Sequence, residues 1–384
     1  MEVITWGCLM SFPNDGTLAY RILEHTAICG ELPAYLLSEL PYSPNYVNNV
    51  VHYLKRNKLL RTYYRDRVRG YRLTAISKQI LLATNPDRFT IFLTGNVETN
   101  LVKSDLSRRK RLHNIAGCLL FMENGHVAIF QDRKPVVFES DVRKLPPMQQ
   151  SAFYTSREIK NMGDDAIKIS GSRMSGVLLT PCGVYITYNC CNGLLKLDYR
   201  YEQRTKTLIT NSICYERFPN QYYPDQVCGL MLGKDLSVFM QIIRSADSKV
   251  RSFFLLDGSF EHFYYLTSDR FGIALLKLLT DSLKQETLEQ ILQQDLLAPD
   301  PEYPIQHDAF DTAGNPVLFG YFMDIPRINR FYMGLRLYGK SGTIICFDFQ
   351  RDTLSCLFGS LAQIQAISFE KFERSFFSSE HENS

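Results

Sequence analysis

The sequence predicts an α+β protein in which an N-terminal winged helix-turn-helix is followed by mixed α/β domains. Between Thr17 and Leu82, three short helical patterns precede two strand patterns, which is the winged-helix order. Beyond residue 126, strand patterns bounded by turn residues alternate with helical ones. Four regions are predicted: a winged helix at 15–90, a basic connecting helix at 91–125, an α/β domain at 126–300, and a β-rich portion packed on it at 301–384.

The composition is that of an ordinary folded protein with one local excess of charge. Of the 384 residues, 45% are hydrophobic and 22% are charged, which excludes a wholly disordered chain. The formal net charge is +3, yet residues 55–72 hold eight Lys or Arg and one Asp, so the rest of the chain is net negative. A local positive excess favours a binding surface over a generally basic protein.

The ten cysteines are scattered, and no two of them form a Cys-x-x-Cys pair. This spacing indicates buried, reduced thiols and argues against a disulfide framework or a zinc site. The first residues lack a signal-peptide pattern, and no apolar run approaches the roughly 20 residues of a membrane span. The sequence therefore predicts a cytoplasmic protein that has no cofactor, no metal site and no membrane partner.

The first two helical patterns are short. In TLAYRILEHTAICG, the residues Leu18, Ile22 and Leu23 share one face, and the pattern closes at Gly30. PAYLLSEL begins with Pro33 at a helix start, where the missing amide proton costs nothing.

The third helical pattern, YSPNYVNNVVHYLKRNK, has Ser43 as N-cap and Pro44 as first helical residue. Its apolar residues recur at i, i+3, i+4 and i+7, which predicts an inward face. That face consists of Val47, Val50, Val51 and Leu54. The polar side chains of Asn45, Asn48, Asn49, His52, Lys55 and Arg56 are then directed outward.

Two strand patterns, LLRTYYR and RGYRLT, follow and are joined by a predicted turn at 66–69. An outward Asn can read adenine and an Arg can read guanine in the major groove, while hairpin arginines can bind phosphates or enter the minor groove. The predicted DNA-binding residues of this module are Asn45, Asn48, Asn49, His52, Lys55, Arg56, Lys58, Arg61, Arg65, Arg67, Arg69 and Arg72. The alternatives are a solvated helix end with a basic hairpin, or a winged helix that binds protein.

A further helix is predicted over SDLSRRKRLHNIAGCLLFM, residues 104–122, with Ser104 or Ser107 as its cap. Four consecutive basic residues at its start oppose the helix dipole, which a negative outside partner would compensate. A phosphate backbone would supply one, and the alternative is a solvated linker helix paired with acidic neighbours. The predicted DNA-binding set is completed by Arg108, Arg109, Lys110 and Arg111.

Later strand signals lie in GHVAIF, in the hairpin-like GVLLTPCGVYITYNCCNGLLKLDYR and in RSFFLLDGSFEHFYYLT. RFGIALLKLLTDSLKQETLEQILQQDLL is predicted to be helical. Three more strands are predicted in PVLFGYFMDI, RFYMGLRLYG and GTIICFDFQ, and a terminal helix near QAISFEKFERSFF.

Residues 172–210 have the strand, turn, strand and basic-helix order of a nuclease core. Such a core needs carboxylates that hold Mg²⁺ and a Lys that assists the attacking water. The corresponding positions hold neutral residues instead: Ser175, Gly176, Tyr188 and Asn189. Neither nucleotide-binding loops nor hydrolase motifs are present. No catalytic residue is therefore predicted, and the remaining carboxylates are interpreted as surface or structural: Asp164, Asp165, Asp198 and Glu202.

Residues 15–215 resemble the replication-relaxation family of plasmids and integrative or conjugative elements in Gram-positive bacteria. The resemblance rests on the winged-helix order ending in RGYRLTAISKQIL and on an Arg-x-x-x-His pattern in the basic helix, matched by Arg109 and His113. It implies that the winged helix precedes a restriction-endonuclease-like domain, here degenerate because Ser175 and Asn189 replace the usual acidic residues.

The resemblance also implies a non-catalytic accessory protein of a mobile genetic element that binds double-stranded DNA in plasmid replication, relaxation or conjugative transfer. Relaxase or replication proteins would be its partners. Two other functions stay open: a winged-helix transcriptional regulator whose C-terminal region senses a signal or forms a homodimer, and an atypical metal-dependent nuclease that uses Asp198.

Overall fold

The computed structural model describes residues 12–141, 143–169, 171–245 and 259–381, without the side chains of 164–168 and 378–381. This part of the chain has an α+β fold. Its α-helices, numbered α1 to α13, are Leu18–Cys29, Pro44–Arg56, Ala75–Thr84, Pro86–Leu93, Leu106–Asn124, Ser156–Ile159, Tyr199–Thr210, Leu236–Ser245, Arg270–Leu279, Ser282–Gln293, Ile325–Tyr338, Arg351–Phe358 and Phe369–His381. Its strands, numbered β1 to β12, are Leu32–Pro33, Leu60–Arg65, Val68–Leu73, Ala152–Thr155, Gly176–Thr180, Gly183–Cys191, Val227–Gly233, Phe263–Thr267, Ala309–Phe310, Pro316–Phe319, Gly342–Phe347 and Ala362–Ile367.

Residues 18–73 form the N-terminal module, which contains α1, a 3₁₀ helix at Ala34–Glu39, α2 and a three-stranded sheet in the order β1-β3-β2. The predicted start of α2 is confirmed, since the Ser43 side chain accepts a hydrogen bond from the Tyr46 amide. Its predicted inward face is also confirmed, because three of its apolar residues are buried and Val50 is partly buried. The second predicted helix is one of 3₁₀ type.

Helix α5 joins the module to the rest of the protein. It begins after Asp105, whose carboxylate accepts hydrogen bonds from the Arg108 amide and the Ser107 hydroxyl, so the predicted Ser104 or Ser107 cap is wrong. A carboxylate at this position offsets the positive end of the helix dipole better than a hydroxyl does. The helix packs against both α1 and β6, so it is a core element and not a solvated linker.

The central sheet has the strand order β4-β5-β6-β7-β8. Strands β4, β5 and β6 are antiparallel, and β6, β7 and β8 are parallel, because α7 with a π-helix at Asn211–Arg217 and then α8 cross between them. The predicted strand in GHVAIF is only an isolated bridge between Ala128 and Ala152. Of the predicted strand in RSFFLLDGSFEHFYYLT, Phe263–Thr267 is observed, and residues 251–258 lie outside the described part.

The C-terminal region contains a second sheet in the order β9-β10-β11-β12, with α11 and α12 as crossovers between parallel strands. The prediction of a strand at RFYMGLRLYG is wrong, because this segment lies in α11. Pro326 lies in the first turn of that helix, Gly339 ends it with a left-handed φ of 57°, and Ile328, Phe331 and Leu335 are buried at helical spacing. With α11, α12 and α13, the region from 301 onward is α/β and not β-rich.

The two faces of the central sheet bury two hydrophobic clusters. Phe153, Leu178 and Leu230 face a cluster that also contains the N-terminal module and α5, whereas the alternate residues Val177 and Met231 face a cluster with the second sheet. Residues of the C-terminal region and of the central sheet share this second cluster. The module, α5 and both sheets are therefore joined by continuous packing.

No helix in the described ranges combines the length and the apolar character needed to cross a membrane. The nine cysteines in these ranges are free thiols, and Cys8 lies outside them. The expectation of burial is wrong for two of them, Cys182 and Cys356, which are exposed.

Candidate nucleic-acid interface

The outward face of α2 presents polar side chains to solvent. Asn45, Asn48, Asn49, His52 and Arg56 are all exposed, and Lys55 is half-buried. Because the apolar residues of the same helix are fixed in the core, the orientation of these side chains is set by the packing of α2. This face has the donors, acceptors and positive charge that contact with base edges requires.

The β2–β3 hairpin places a basic residue at its tip in an unfavourable backbone conformation. Arg65 pairs with Val68, so the turn consists of Asp66 and Arg67 alone, and Val68 and Arg69 of the predicted turn belong to β3. Both turn residues have positive φ, at 53° and 58°. Two-residue hairpin turns of this type favour Gly at the second position. The presence of Arg67 at this position motivates a functional hypothesis for its side chain.

Most of the basic residues in the module are exposed. The exposed ones are Arg56, Lys58, Arg61, Arg65, Arg67 and Arg69. Asp66 is the one acidic residue between positions 44 and 73, and its carboxylate lies 3.6 Å from the Arg65 Nε atom. The hairpin arginines, defined as Arg65, Arg67 and Arg69, therefore form a surface with a net positive charge.

The prediction that Arg72 contacts DNA is wrong. The residue is 5% exposed, and its Nε and Nη2 atoms lie 2.7 and 2.6 Å from Glu31 Oε2. Its guanidinium also stacks on Tyr63, with 3.6 Å between the guanidinium carbon and the ring centre. A side chain held in this way cannot reach a phosphate.

Arg109 is likewise wrong as a predicted DNA contact, because it is fully buried. Its Nη2 atom lies 2.6 Å from Glu31 Oε1. Its Nη1 and Nη2 atoms also donate to the backbone carbonyls of Arg65 and Val68, at 2.9 and 3.0 Å. These two carbonyls flank the hairpin turn, so Arg109 positions the hairpin arginines instead of joining them.

Glu31 is the centre of this arrangement, which we term the Glu31 cluster: Glu31, Arg72, Arg109 and His113. Burial opposes ionisation of the Glu31 carboxyl, but hydrogen bonds from His113, Arg109 and Arg72 outweigh it and lower its pKa to about 2. His113 Nε2 lies 2.8 Å from Glu31 Oε1. The Arg-x-x-x-His spacing thus places two side chains one helical turn apart on one carboxylate.

Gly70 makes room for the buried carboxylate. A Cβ atom at this position would lie 2.4 Å from Glu31 Oε1, which is far inside contact distance. The Gly70-Tyr71-Arg72 sequence of β3 therefore supplies both the space for Glu31 and one of its cationic partners. Sequence reasoning missed Glu31, and the only signal for it was a lone acidic residue in the apolar context ICGELP.

The four basic residues at the start of α5 point in different directions from the helix. Arg108 and Lys110 are exposed and stay candidates for DNA contact. Arg111 is half-buried on another side of the helix, where its Nη2 atom donates to Ser156 Oγ at 3.1 Å and its Nη1 atom lies 3.8 Å from Glu98. Arg109 and Arg111 therefore have acidic neighbours, Glu31 and Glu98, as the alternative to DNA contact predicts.

A second set of ion pairs fastens the far end of α5 to α1. Glu123 pairs with Arg21 and lies 2.8 Å from His25 Nε2. Burial raises the pKa of the Glu123 carboxyl, but its contacts with His25 and Arg21 outweigh this and lower the pKa to about 2. Helix α5 is therefore held to the N-terminal module by an ionic contact near each end.

At the positions of a nuclease site, the structure places neutral side chains. The Ser175 amide donates to the Thr187 carbonyl at 2.8 Å, and the Asn189 side chain donates to the Asn114 carbonyl at 3.0 Å. Asp198 caps α7 by accepting from the Arg200 amide. The described residues contain no group of three or more His, Cys, Asp or Glu side chains suited to a metal ion.

The other candidate carboxylates do not join these positions. Glu202 is buried, and it accepts hydrogen bonds from the Ser172 and Tyr188 hydroxyls at 2.7 and 2.9 Å. Burial raises the pKa of the Glu202 carboxyl against the effect of these hydrogen bonds. The side chains of Asp164 and Asp165 lie outside the described part of the structure.

The resemblance to the replication-relaxation family rests, at the level of single residues, on Arg109 and His113, and the structure gives both of them a role in the Glu31 cluster. That role is structural and does not identify a family. Comparison with protein-family models, with curated proteins and with solved structures gave no match. The family therefore stays a prediction from the sequence.

Proposed function

We propose that this chain is a non-catalytic DNA-binding protein whose N-terminal module docks on double-stranded DNA as a winged helix. One observation carries the proposal: the outward face of α2 and the hairpin arginines are exposed on the same module, and that module contains one acidic residue between positions 44 and 73. Duplex DNA presents matching chemistry, because base edges offer acceptors and donors and the backbone offers regular negative charge.

The two surfaces would have different tasks. Asn48, Asn49 and His52 lie on α2, and they would read base edges in the major groove. The hairpin arginines would bind phosphates and supply salt-dependent affinity that is largely independent of sequence. Arg108 and Lys110 follow the capping Asp105 on α5, whose Arg109 is bonded to the hairpin turn, so they would extend the phosphate contacts.

The proposed setting is the cytoplasm, in replication, relaxation or transfer of a mobile genetic element, with relaxase or replication proteins as partners. The support for this setting is the sequence resemblance alone. The structure adds that α5 is packed on both the module and the central sheet, so a partner bound to the α/β region would be held in fixed orientation to the DNA.

The test is the salt dependence of DNA binding by a variant in which Arg65, Arg67 and Arg69 are all replaced by Gln. We expect weaker binding to every duplex, and a plot of log K against log salt that is shallower by about 0.9 for every phosphate that is no longer bound, or roughly 2.7 in all. Fluorescence anisotropy over a series of salt concentrations measures both quantities.

The matched control replaces three exposed arginines outside the module, Arg143, Arg200 and Arg204, by Gln and so removes the same charge. The control should retain most of the slope of the unmodified protein. An unchanged slope in the hairpin variant, or an equal change in the control, would contradict the proposal.

A further inference from the structure

A cavity of 230 Å³ lies on the side of α5 that Arg111 faces. Its walls come from the loop that contains Glu98 and Thr99, from α5, and from the end of β4 with the start of α6. Leu112 and Ile115 form an apolar part of the wall. The cavity thus lies between the N-terminal module and the central sheet, and none of the DNA-binding residues proposed above lines it.

The cavity contains more positive charge than its own residues neutralise. Three basic side chains line it, from Arg111, Arg157 and Lys160, against the single carboxylate of Glu98. The contact of Glu98 with Arg111 is long, at 3.8 Å, and both side chains are partly exposed. Such a pair contributes little. Glu158, next to Arg157 in sequence, offsets part of the Arg157 charge, but its carboxylate is also paired with the buried Lys134 amine at 2.7 Å.

Arg157 shows the same imbalance at the level of a single atom. Its Nε atom is buried and has no hydrogen-bond partner among the residues that the structure describes. A buried donor without an acceptor is unfavourable in a folded protein. Partial desolvation lowers the pKa of the Lys160 amine at the rim of the same cavity, and the positive charges of Arg111 and Arg157 lower it further against the opposing charge of Glu98. An anion bound in the cavity would offset the excess of positive charge around it.

We propose that this cavity binds a phosphate group, carried either by a small phosphorylated molecule or by the terminal phosphate of a DNA strand. Arg111 and Arg157 would supply guanidinium donors, Lys160 a flexible ammonium at the mouth, and Ser156 Oγ a hydroxyl donor. Guanidinium groups match the geometry of phosphate oxygens. The volume is below the roughly 300–1,000 Å³ of pockets for drug-sized ligands, which favours one or two phosphate groups over an entire buried nucleotide.

The experiment uses the full chain and titrates it with inorganic phosphate and with pyrophosphate by isothermal calorimetry at constant ionic strength. We expect saturable binding to at least one probe, weakened at least tenfold in Arg157→Gln and in Lys160→Gln. The control Arg204→Gln removes an exposed arginine of α7 and should bind as the unmodified protein does. Because Lys160 is exposed, its variant keeps the test valid if Arg157→Gln fails to fold.

Absence of saturable binding to both probes, or equal binding by all variants, would overturn the proposal. Competition then identifies the source: displacement of pyrophosphate by a 5′-phosphorylated oligonucleotide but not by its 5′-hydroxyl form assigns a DNA end, and displacement by neither assigns a small molecule. Equal displacement by both oligonucleotides would show that the cavity responds to negative charge in general and would also overturn the proposal of a phosphate site. The Gln variant of the hairpin arginines should retain pyrophosphate binding, so this site and the proposed DNA surface can fail separately.

Discussion

The Glu31 cluster and the hairpin arginines use the same residue type for opposite purposes. Arg72 of β3 and Arg109 of α5 are buried, share the Glu31 carboxylate and hold backbone in place. Arg65, Arg67 and Arg69 of the β2–β3 hairpin are exposed instead. The two groups are adjacent in space, because Arg109 binds the carbonyls on either side of the turn that carries Arg67.

This difference shows that a run of basic residues has no single meaning. A buried arginine with a paired carboxylate contributes to the conformation of the hairpin, and removal of either partner leaves an uncompensated buried charge. An exposed arginine contributes almost nothing to stability and is available to an external anion. The buried arginines fix the backbone conformation of the hairpin, and the exposed arginines supply its positive charge.

The largest effect is expected when the buried carboxylate is removed. Glu31→Gln would leave Arg72 and Arg109 without a counter-charge, and should lower the free energy of unfolding by about 3–5 kcal/mol. Urea denaturation followed by circular dichroism measures this. The control Asp66→Asn removes an exposed carboxylate next to Arg65 and should change stability by no more than about 0.5 kcal/mol. Similar losses in the two variants would refute the distinction between the two groups.

The pH dependence of the same variant sharpens the comparison. The pKa of Glu31 is about 2 in the folded protein and near 4.3 in an unfolded chain, so its contribution is present above about pH 4.3 and is lost as pH falls toward 2. The stability difference between the unmodified protein and Glu31→Gln should therefore be largest above about pH 5 and should shrink on acidification. A constant difference from neutral pH down to about pH 3 would contradict this assignment.

A smaller effect is expected for Arg109→Met, which removes the contact between α5 and the hairpin. Loss of hydrogen bonds to a charged group should cost about 2–3 kcal/mol of stability. Arg108→Met, at the exposed neighbouring position, should leave stability within about 0.5 kcal/mol. If Arg109 were instead a phosphate contact, its variant would keep its stability and would lose about 0.9 of the salt slope.

The proposed role of the exposed face of α2 is tested by measuring the preference of the protein for one DNA sequence over others. Replacement of Asn48 and Asn49 by Ala should reduce the preference for a selected site over random duplex by about 1–3 kcal/mol for each bidentate pair that is removed, with the salt slope unchanged. Selection from a randomised duplex pool provides the site, and competition binding measures the preference. The control Asn192→Ala changes an exposed Asn outside the module. Equal loss on selected and random DNA would argue against base reading.

The smallest effect is expected at the hairpin tip. Arg67→Gly should relieve the left-handed backbone and raise stability by up to about 1 kcal/mol, while it lowers the salt slope by about 0.9. Asp66→Gly offers the comparison, since it relaxes the other turn residue without loss of positive charge and should not weaken DNA binding. Reduced stability in Arg67→Gly would show that its side chain serves the fold.

Features with a local cause could be predicted from the sequence. The Ser43 cap and the inward face of α2 follow from residues within two helical turns, and the hairpin follows from two short strand patterns around a polar turn. The segment RFYMGLRLYG predicts a strand because its aromatic residues favour strands locally. It is part of helix α11 instead, since Gly339 ends the helix and Phe331 and Leu335 are buried at helical spacing.

What the sequence by itself determined about this protein is the α+β class, the exposed polar face of α2 and the positive charge of the hairpin. Only the tertiary structure decided which arginines are available. Glu31 lies 41 positions from Arg72, 78 from Arg109 and 82 from His113 in the sequence. The basic residues that contact Glu31 are buried, and those that do not contact it on the hairpin are exposed. The physical reason is that periodicity reports the direction of a side chain on its own element, whereas the role of a charge depends on the partner that folding brings beside it.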